Sequence, residues 1–236
     1  MITLYTFGPA FGLPDPSPFV IKAEMLLKLS GLPYRKQRGS MRTAPKGKLP
    51  FIDDDGTQVP DSTLIRLYLA SKHGITLDAG LSEVDKAVAW SMECLCSDHL
   101  YWCIVHERWL DDAVFARGPG VFFQRVPFLL RGMVIRMIRR KVRGNLHGQG
   151  LGRFSPEERQ RLLQLDIASL STLLADQPYM LGAAPCWLDA TVFAFLASAL
   201  LANMGDTPSR QCVSQYPNLV AYVARLRQQY FPEWQG

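Results

Sequence analysis

Residues 47–62 read GKLPFIDDDGTQVPDS, and the chain continues through Thr63 into the apolar helical pattern LIRLYLA at 64–70. A loop ends at Pro50, Phe51 and Ile52 open a strand, and Asp55-Gly56 is a dipeptide that closes a two-residue hairpin. Gln58 and Val59 begin the return strand, which Pro60 stops because it has no N–H to give to a ladder. Asp61-Ser62 then supplies capping oxygens ahead of Leu64, Ile65, Leu67, Tyr68 and Leu69, the pattern of a helix start. An X-Pro bond loses most of the usual trans preference, and a cis peptide at Leu49-Pro50 fits this place. It would turn the N–H and C=O of Leu49 outward, toward an extended ligand.

Working outward, residues 1–7 alternate as a strand, with Ile2 and Leu4 on one face and Thr3, Tyr5 and Phe7 on the other. A proline- and glycine-rich loop covers 8–16. A helix is expected over 18–29, stopped by Ser30-Gly31, and a short strand over 32–37. The resulting order is strand, helix, strand, loop, strand, strand, helix. That order gives a parallel pair joined by a right-handed crossover, plus an antiparallel hairpin. A linker-like segment follows at 73–82, and the rest reads helical: 83–109, 120–142, 156–175, 188–203 and 219–229. Ser155-Pro156-Glu157-Glu158 is a well-formed helix start, with Ser as cap and Pro at the first position.

The hairpin and its capped helix resemble the second half of a thioredoxin-like, glutathione-binding domain. The resemblance implies that Leu49, preceding Pro50, pairs its backbone with the cysteinyl part of glutathione. It implies too that Asp61 and Ser62 hold the γ-glutamyl end. The physics suits that task, since a helix N-terminus offers unpaired N–H groups and a positive dipole end to a carboxylate. The Asp61 carboxylate would answer the ligand's ammonium. Standing alone, Asp61-Ser62 would be read as an ordinary helix cap.

Ser17-Pro18-Phe19 matches the S/C-P-[FY] pattern of serine- and cysteine-type glutathione transferases. Ser17 is therefore the candidate catalytic residue, a hydroxyl at a helix N-terminus aimed at the thiol. Tyr5 is the alternative hydroxyl, but a mid-strand position favours packing. Lys48, with Lys46 and Arg38 behind it, is the candidate for the glycyl carboxylate.

Further along, YMLG at 179–182 and CWLDATVF at 186–193 look like the helix-start motif of transferase C-terminal domains. Cys186 stands in the cap position and Asp189 caps in return. The run DATVFAFLASAL, with Tyr101-Trp102 and Arg108-Trp109, resembles the metaxin-like and failed-axon-connections-like branch of the glutathione S-transferase superfamily, which includes bacterial members. The implied fold is α/β plus all-α: a thioredoxin-like domain over 1–74, then an all-helical glutathione-transferase C-terminal domain over 82–236.

Composition bounds the function. The chain has 236 residues, 48% hydrophobic, with a net charge of +5, which suits one large or two small domains and argues against disorder. The apolar run at 190–202 is too short to span a bilayer and fits a buried helix. The strand-like start carries no secretory leader, and five cysteines without a CxxC or an even pattern fit reduced thiols, so a cytoplasmic location is expected. Cys96, His99, Cys103 and His106 share a helical stripe, but about 15 Å separates its ends, too far for one ion, and no metal is expected. Trp102 and His106 are candidates for the wall of an electrophile pocket.

Arg131, Arg136, Arg139, Arg140, Lys141 and Arg143 fall in one stretch without an acid, interleaved with apolar residues at helical spacing. A solvated helix face is the plain account, and peripheral contact with an anionic membrane the sharper one. No base-reading motif accompanies the charge, so nucleic acid is not expected as a partner. The resemblance to glutathione transferases implies conjugation of the glutathione thiolate to a small hydrophobic electrophile by a homodimeric, serine-type enzyme. The alternative is a non-enzymatic metaxin-like adaptor or glutathione-binding protein that contacts a protein partner or a membrane surface.

Overall fold

The computed structural model describes residues 1–234. Its first part runs β1 (Ile2–Thr6), α1 (Pro18–Ser30), β2 (Tyr34–Arg38), β3 (Phe51–Asp54), β4 (Thr57–Pro60) and α2 (Ser62–His73). The strands form one sheet in the order β2-β1-β3-β4. β1 and β2 are parallel, with Ile2 opposite Tyr34, while Leu4 faces Ile52 and Ile52 faces Val59 in antiparallel pairs. This is the thioredoxin-like arrangement. Asp55 (φ 50°) and Gly56 (φ 93°) both take positive φ, as a two-residue turn matched to the strand twist demands. The alternation of β1 is realised: Ile2 and Leu4 pack with Ala23, Leu27, Ile65 and Leu69, and Tyr5 and Phe7 lie against the cluster of Val20, Leu49 and Phe51.

The second part is helical: α3 (Glu83–Cys94), a π-helical turn (Leu95–Leu100), α4 (Tyr101–Leu110), α5 (Asp112–Arg117), α6 (Phe128–Gln149), α7 (Pro156–Leu174), α8 (Trp187–Leu200), α9 (Pro208–Ser214) and α10 (Pro217–Tyr230). Every residue of α8 is buried, and this helix packs directly on α1, joining the two parts. Asp189 organises its start. One carboxylate oxygen accepts from Met180 N (2.9 Å) and Tyr222 Oη (2.8 Å), the other from Cys186 N (2.9 Å).

Three departures from the sequence reading have local causes. The expected helix over 83–109 exists but contains the π turn, which rotates the two halves relative to one another. The basic helix starts at Phe128 rather than near 120, because Pro127 disfavours helical backbone at Val126, which is extended (φ −78°, ψ 135°). Residues before it form a 3-10 stretch, Pro119–Arg125. α5 and α9 were not foreseen; six and seven residues are too few to show a period, though Thr207-Pro208 is a fair start signal for α9. Among the described residues no helix is long and apolar enough to cross a membrane.

Candidate glutathione site

The Leu49-Pro50 bond is cis. Leu49 is buried by its side chain, yet no bond to its N–H or C=O is found among the described residues. The Pro50 carbonyl accepts from Asp61 N at 3.1 Å, and Phe51 lies opposite Pro60 in the hairpin. The two ends of the hairpin are therefore clasped, and Leu49 is held beside the start of α2. A Cβ at Gly39 would stand 2.8 Å from a Leu49 methyl, so the strand end leaves room for that side chain alone.

Asp61 has φ 73° and ψ 133°, a region that side chains rarely adopt. One oxygen, Oδ1, accepts from Thr63 N (2.8 Å) and Leu64 N (3.3 Å). Asp61 thus caps α2 with half of its carboxylate and leaves Oδ2 without a protein partner among the described residues. Ser62, first residue of α2, is buried.

Beneath this helix start lies a charge cluster that the sequence reading missed. Lys22 of α1, fully buried, donates to Thr63 Oγ1 (3.0 Å) and Glu93 Oε1 (2.9 Å), and Thr63 Oγ1 donates to Glu93 at 2.5 Å. Burial lowers the Lys22 pKa, opposed by Glu93 and more weakly by Asp61. The cluster ties α1, α2 and α3 together and sets a cation behind the N-terminus of α2. Its sequence signal is weak: a lysine among the apolar residues Val20, Ile21 and Ala23.

Ser17 stands at the N-cap of α1 but makes no side-chain cap bond. Its N–H donates instead to Asp15 Oδ1 (2.9 Å), while Asp15 Oδ2 accepts from Phe7 N (2.8 Å) and Gly8 N (3.0 Å). Burial pushes the Asp15 pKa up to about 7, against the pull of these three donors. The long loop over 8–16 is fastened to the helical part: Asn203 N donates to Phe11 O, Trp234 Nε1 to Gly12 O, and Arg108, itself buried, to Pro16 O. Asp15 and Arg108 therefore hold the Pro16–Ser17 peptide unit, one through its N–H and the other through its C=O. Neither was singled out for this from sequence, because a lone Asp in a proline-rich loop reads as a turn residue.

Tyr5 stacks on Phe51, ring centroids 4.1 Å apart, as a packing residue would. Lys48 and Lys46 are exposed, and the Arg38 guanidinium lies over Gly8. Tyr101 packs edge-on to Phe19 (4.8 Å) and contacts Trp102. His106 falls on the face of α4 opposite Tyr101 and Arg108, at about 100° per residue. It lines a cavity of about 330 Å³ with Cys103, Glu107, Arg159 and Pro208, and burial lowers its pKa. His99 is held by Asp166 (2.5 Å), Cys96 and Cys103 are buried, and no three metal-ligating side chains converge among the described residues.

The family model for the glutathione S-transferase N-terminal domain matches residues 18–114, and that for the C-terminal domain residues 163–226. The isoprene-epoxide glutathione S-transferase of Rhodococcus sp. (strain AD45) is 36% identical, over 98% of this chain and 99% of its own. The chain belongs to the glutathione S-transferase family. This chain is also similar to Failed axon connections of Drosophila melanogaster (30% identity, 99% of this chain, 59% of the relative) and to Metaxin-2 of Mus musculus (25%, 91% and 82%). These relatives match the metaxin-like branch. Among solved structures, the beta-etherase LigF of Sphingobium sp. strain SYK-6 superposes with a TM-score of 0.66, at 20% identity, covering 98% of this chain and 99% of its own; it shares the fold.

Proposed function

We propose that the transferase binds glutathione along the edge formed by Leu49 and the start of α2, and joins its thiolate to a small hydrophobic electrophile. One observation carries the reading. The Pro50–Asp61 hydrogen bond sets the unpartnered peptide groups of Leu49 beside the unpartnered oxygen of Asp61. A short peptide with a backbone to pair and an ammonium to neutralise would use both.

In this pose the cysteinyl N–H and C=O pair with Leu49. The γ-glutamyl carboxylate takes Ser62 and the positive end of α2, with buried Lys22 behind it. The ammonium takes Asp61 Oδ2. Lys48 is the cation nearest in sequence for the glycyl carboxylate. A free thiol has a pKa near 8.5, and lowering it by about two units requires about 3 kcal/mol of preference for the thiolate. The Ser17 hydroxyl, free of capping duty, together with the N-terminus of α1, is suited to provide it. The thiol proton leaves to solvent. The sulfur lone pair then forms the C–S bond while the electrophile's C–O or C–halogen bond breaks, and the departing oxygen or halide keeps the electron pair. Epoxides are the first electrophiles to test, because the 36% identical relative from Rhodococcus is an isoprene-epoxide glutathione S-transferase.

A glutathione titration followed by thiolate absorbance tests binding and activation together. A bound thiolate at neutral pH, with binding weakened in Ser62→Ala and the thiolate fraction reduced severalfold in Ser17→Ala, is the expected result. Binding without a thiolate, and without turnover of an epoxide or an aryl halide, would favour the non-enzymatic reading that the Metaxin-2 similarity keeps open. Absence of both binding and a thermal shift would sink the glutathione site altogether.

A further inference from the structure

α6 is the anomaly of the helical part. It is 22 residues long, yet Leu146 is its one buried residue. Exposed apolar side chains cluster at its N-terminal half: Phe128 is 81% exposed, Leu129 90%, Met133 64% and Met137 62%. Phe122, on the 3-10 stretch just before it, is 52% exposed and packs edge-on to Phe11 of the loop that leads to Ser17. Isolated exposed apolar residues are ordinary, but a contiguous group of this size marks a contact surface.

Charge follows directly along the same face. At about 100° per residue, Leu129, Met133, Arg136, Arg140 and Arg143 fall within an arc of about 80°, and the three arginines are exposed. Lys141 flanks them. Residues 113–156 contain no Asp or Glu but nine Lys and Arg, so no neighbour in sequence neutralises this end. Arg139, at the edge of the stripe, turns to the Trp109 and Leu110 carbonyls and to Asp112, and anchors the helix to the body. One outward stripe is thus apolar at its N-terminal end and cationic at its C-terminal end, over about 21 Å.

We infer that α6 lies on an anionic lipid surface, with Leu129 and Met133 in the acyl boundary, Phe128 and Met137 at its two edges, and Arg136, Arg140 and Arg143, flanked by Lys141, against the headgroups. Charge complementarity selects this occupant. A two-fold pairing of α6 with its own copy would bring together eight cations from a stretch of sequence that holds no acid, whereas an anionic leaflet neutralises them. A nucleic acid would satisfy the charges but leave the apolar end without a counterpart, and no aromatic stacking platform accompanies the arginines.

Sedimentation with phosphatidylcholine vesicles, with and without phosphatidylglycerol, tests the inference on the full chain. Binding at least about tenfold tighter to the anionic vesicles, and weakening as salt shortens the screening length, is expected. Two variants touching only exposed side chains separate the components: Leu129→Gln with Met133→Gln, and Arg136→Gln with Arg140→Gln and Arg143→Gln. Each should lower anionic binding several-fold with an unchanged circular dichroism spectrum and melting temperature. Equal binding to both vesicle types, no binding, or indifference to both variants overturns the proposal. So does a dimer in solution in which a Leu129→Cys thiol is protected from labelling, since a second copy would then be the occupant, and so does preferential capture by duplex DNA.

Discussion

Two aspartates stand at helix starts in this chain, and they are used in opposite ways. Asp189, in the first turn of α8, has no exposed surface, and both its oxygens are taken by Met180 N, Cys186 N and Tyr222 Oη. Asp61, ahead of α2, is exposed, spends one oxygen on Thr63 N and Leu64 N, and holds a rare backbone conformation to do so. A cap whose every acceptor is spent inside the protein is structural. One that keeps an acceptor at the surface in a constrained conformation is available to a ligand. The comparison is broken most severely at Asp189. Replacing it with Ala leaves three buried donors unpaired, at roughly 1–3 kcal/mol each before relaxation, so a loss of about 4 kcal/mol is expected in urea unfolding. A loss under about 1 kcal/mol would mean that water replaces the carboxylate and that α8 is not fixed in this way.

Asp15 belongs on the spent side, and pH reports it. Burial raises its pKa to about 7, offset in part by the Ser17, Phe7 and Gly8 N–H groups, whereas an unfolded Asp titrates near 3.9. Between about pH 4 and 7 the folded chain therefore holds a proton that the unfolded chain has released. This group's contribution falls as pH rises through that window and levels off above it. The readout is the difference between wild type and Asp15→Asn, because carboxylates with lowered pKa such as Asp54 and Glu233 act in the opposite sense. The wild type should lose up to about 4 kcal/mol relative to Asn across the window. An identical slope in the two proteins would mean that the three N–H donors keep the carboxylate ionised throughout.

Asp61→Asn isolates the unspent oxygen. The amide keeps one acceptor for the cap, so stability should change by less than about 1 kcal/mol. Loss of the charge facing the ligand's ammonium should weaken glutathione binding about tenfold, the scale of one charge-assisted hydrogen bond. Calorimetric titration checks it. Undiminished affinity would place Asp61 beside Asp189 as a cap and nothing more.

What could be read from sequence follows the range of the forces concerned. The hairpin, its turn and the capped helix were legible because Pro50, Asp55-Gly56, Pro60 and Asp61 act on their immediate neighbours. The parallel crossover followed from element order. Lys22, Thr63 and Glu93 were not legible, since their partnership spans 71 residues and exists only after α1, α2 and α3 are packed. The stripe through Cys96, His99, Cys103 and His106 was counted on an uninterrupted α-helix, and the π turn over Leu95–Leu100 changes that count. Periodicity also gives a face without saying which neighbour it meets, so His106 reads as a pocket residue in either case, though the cavity it lines is formed with α7 and α9.

Ser17 gives the smallest stability effect and the sharpest test of the contrast. A serine that caps a helix costs about 1 kcal/mol when replaced by Ala. Ser17 occupies the N-cap position without making the bond, so Ser17→Ala should change the unfolding free energy by less than about 0.5 kcal/mol. If its hydroxyl donates to the glutathione sulfur, the same variant should raise the pKa of the bound thiol by about one unit or more. Conjugation below that pKa should then fall about tenfold per unit, with glutathione affinity little changed, because in the proposed pose Leu49, Asp61 and Ser62 hold the rest of the peptide. The opposite pattern, a lost cap with an unmoved thiol pKa, would show that in solution the hydroxyl turns onto its own helix. Ser17 would then join Asp189 among the groups spent on structure, and the sulfur would need another donor.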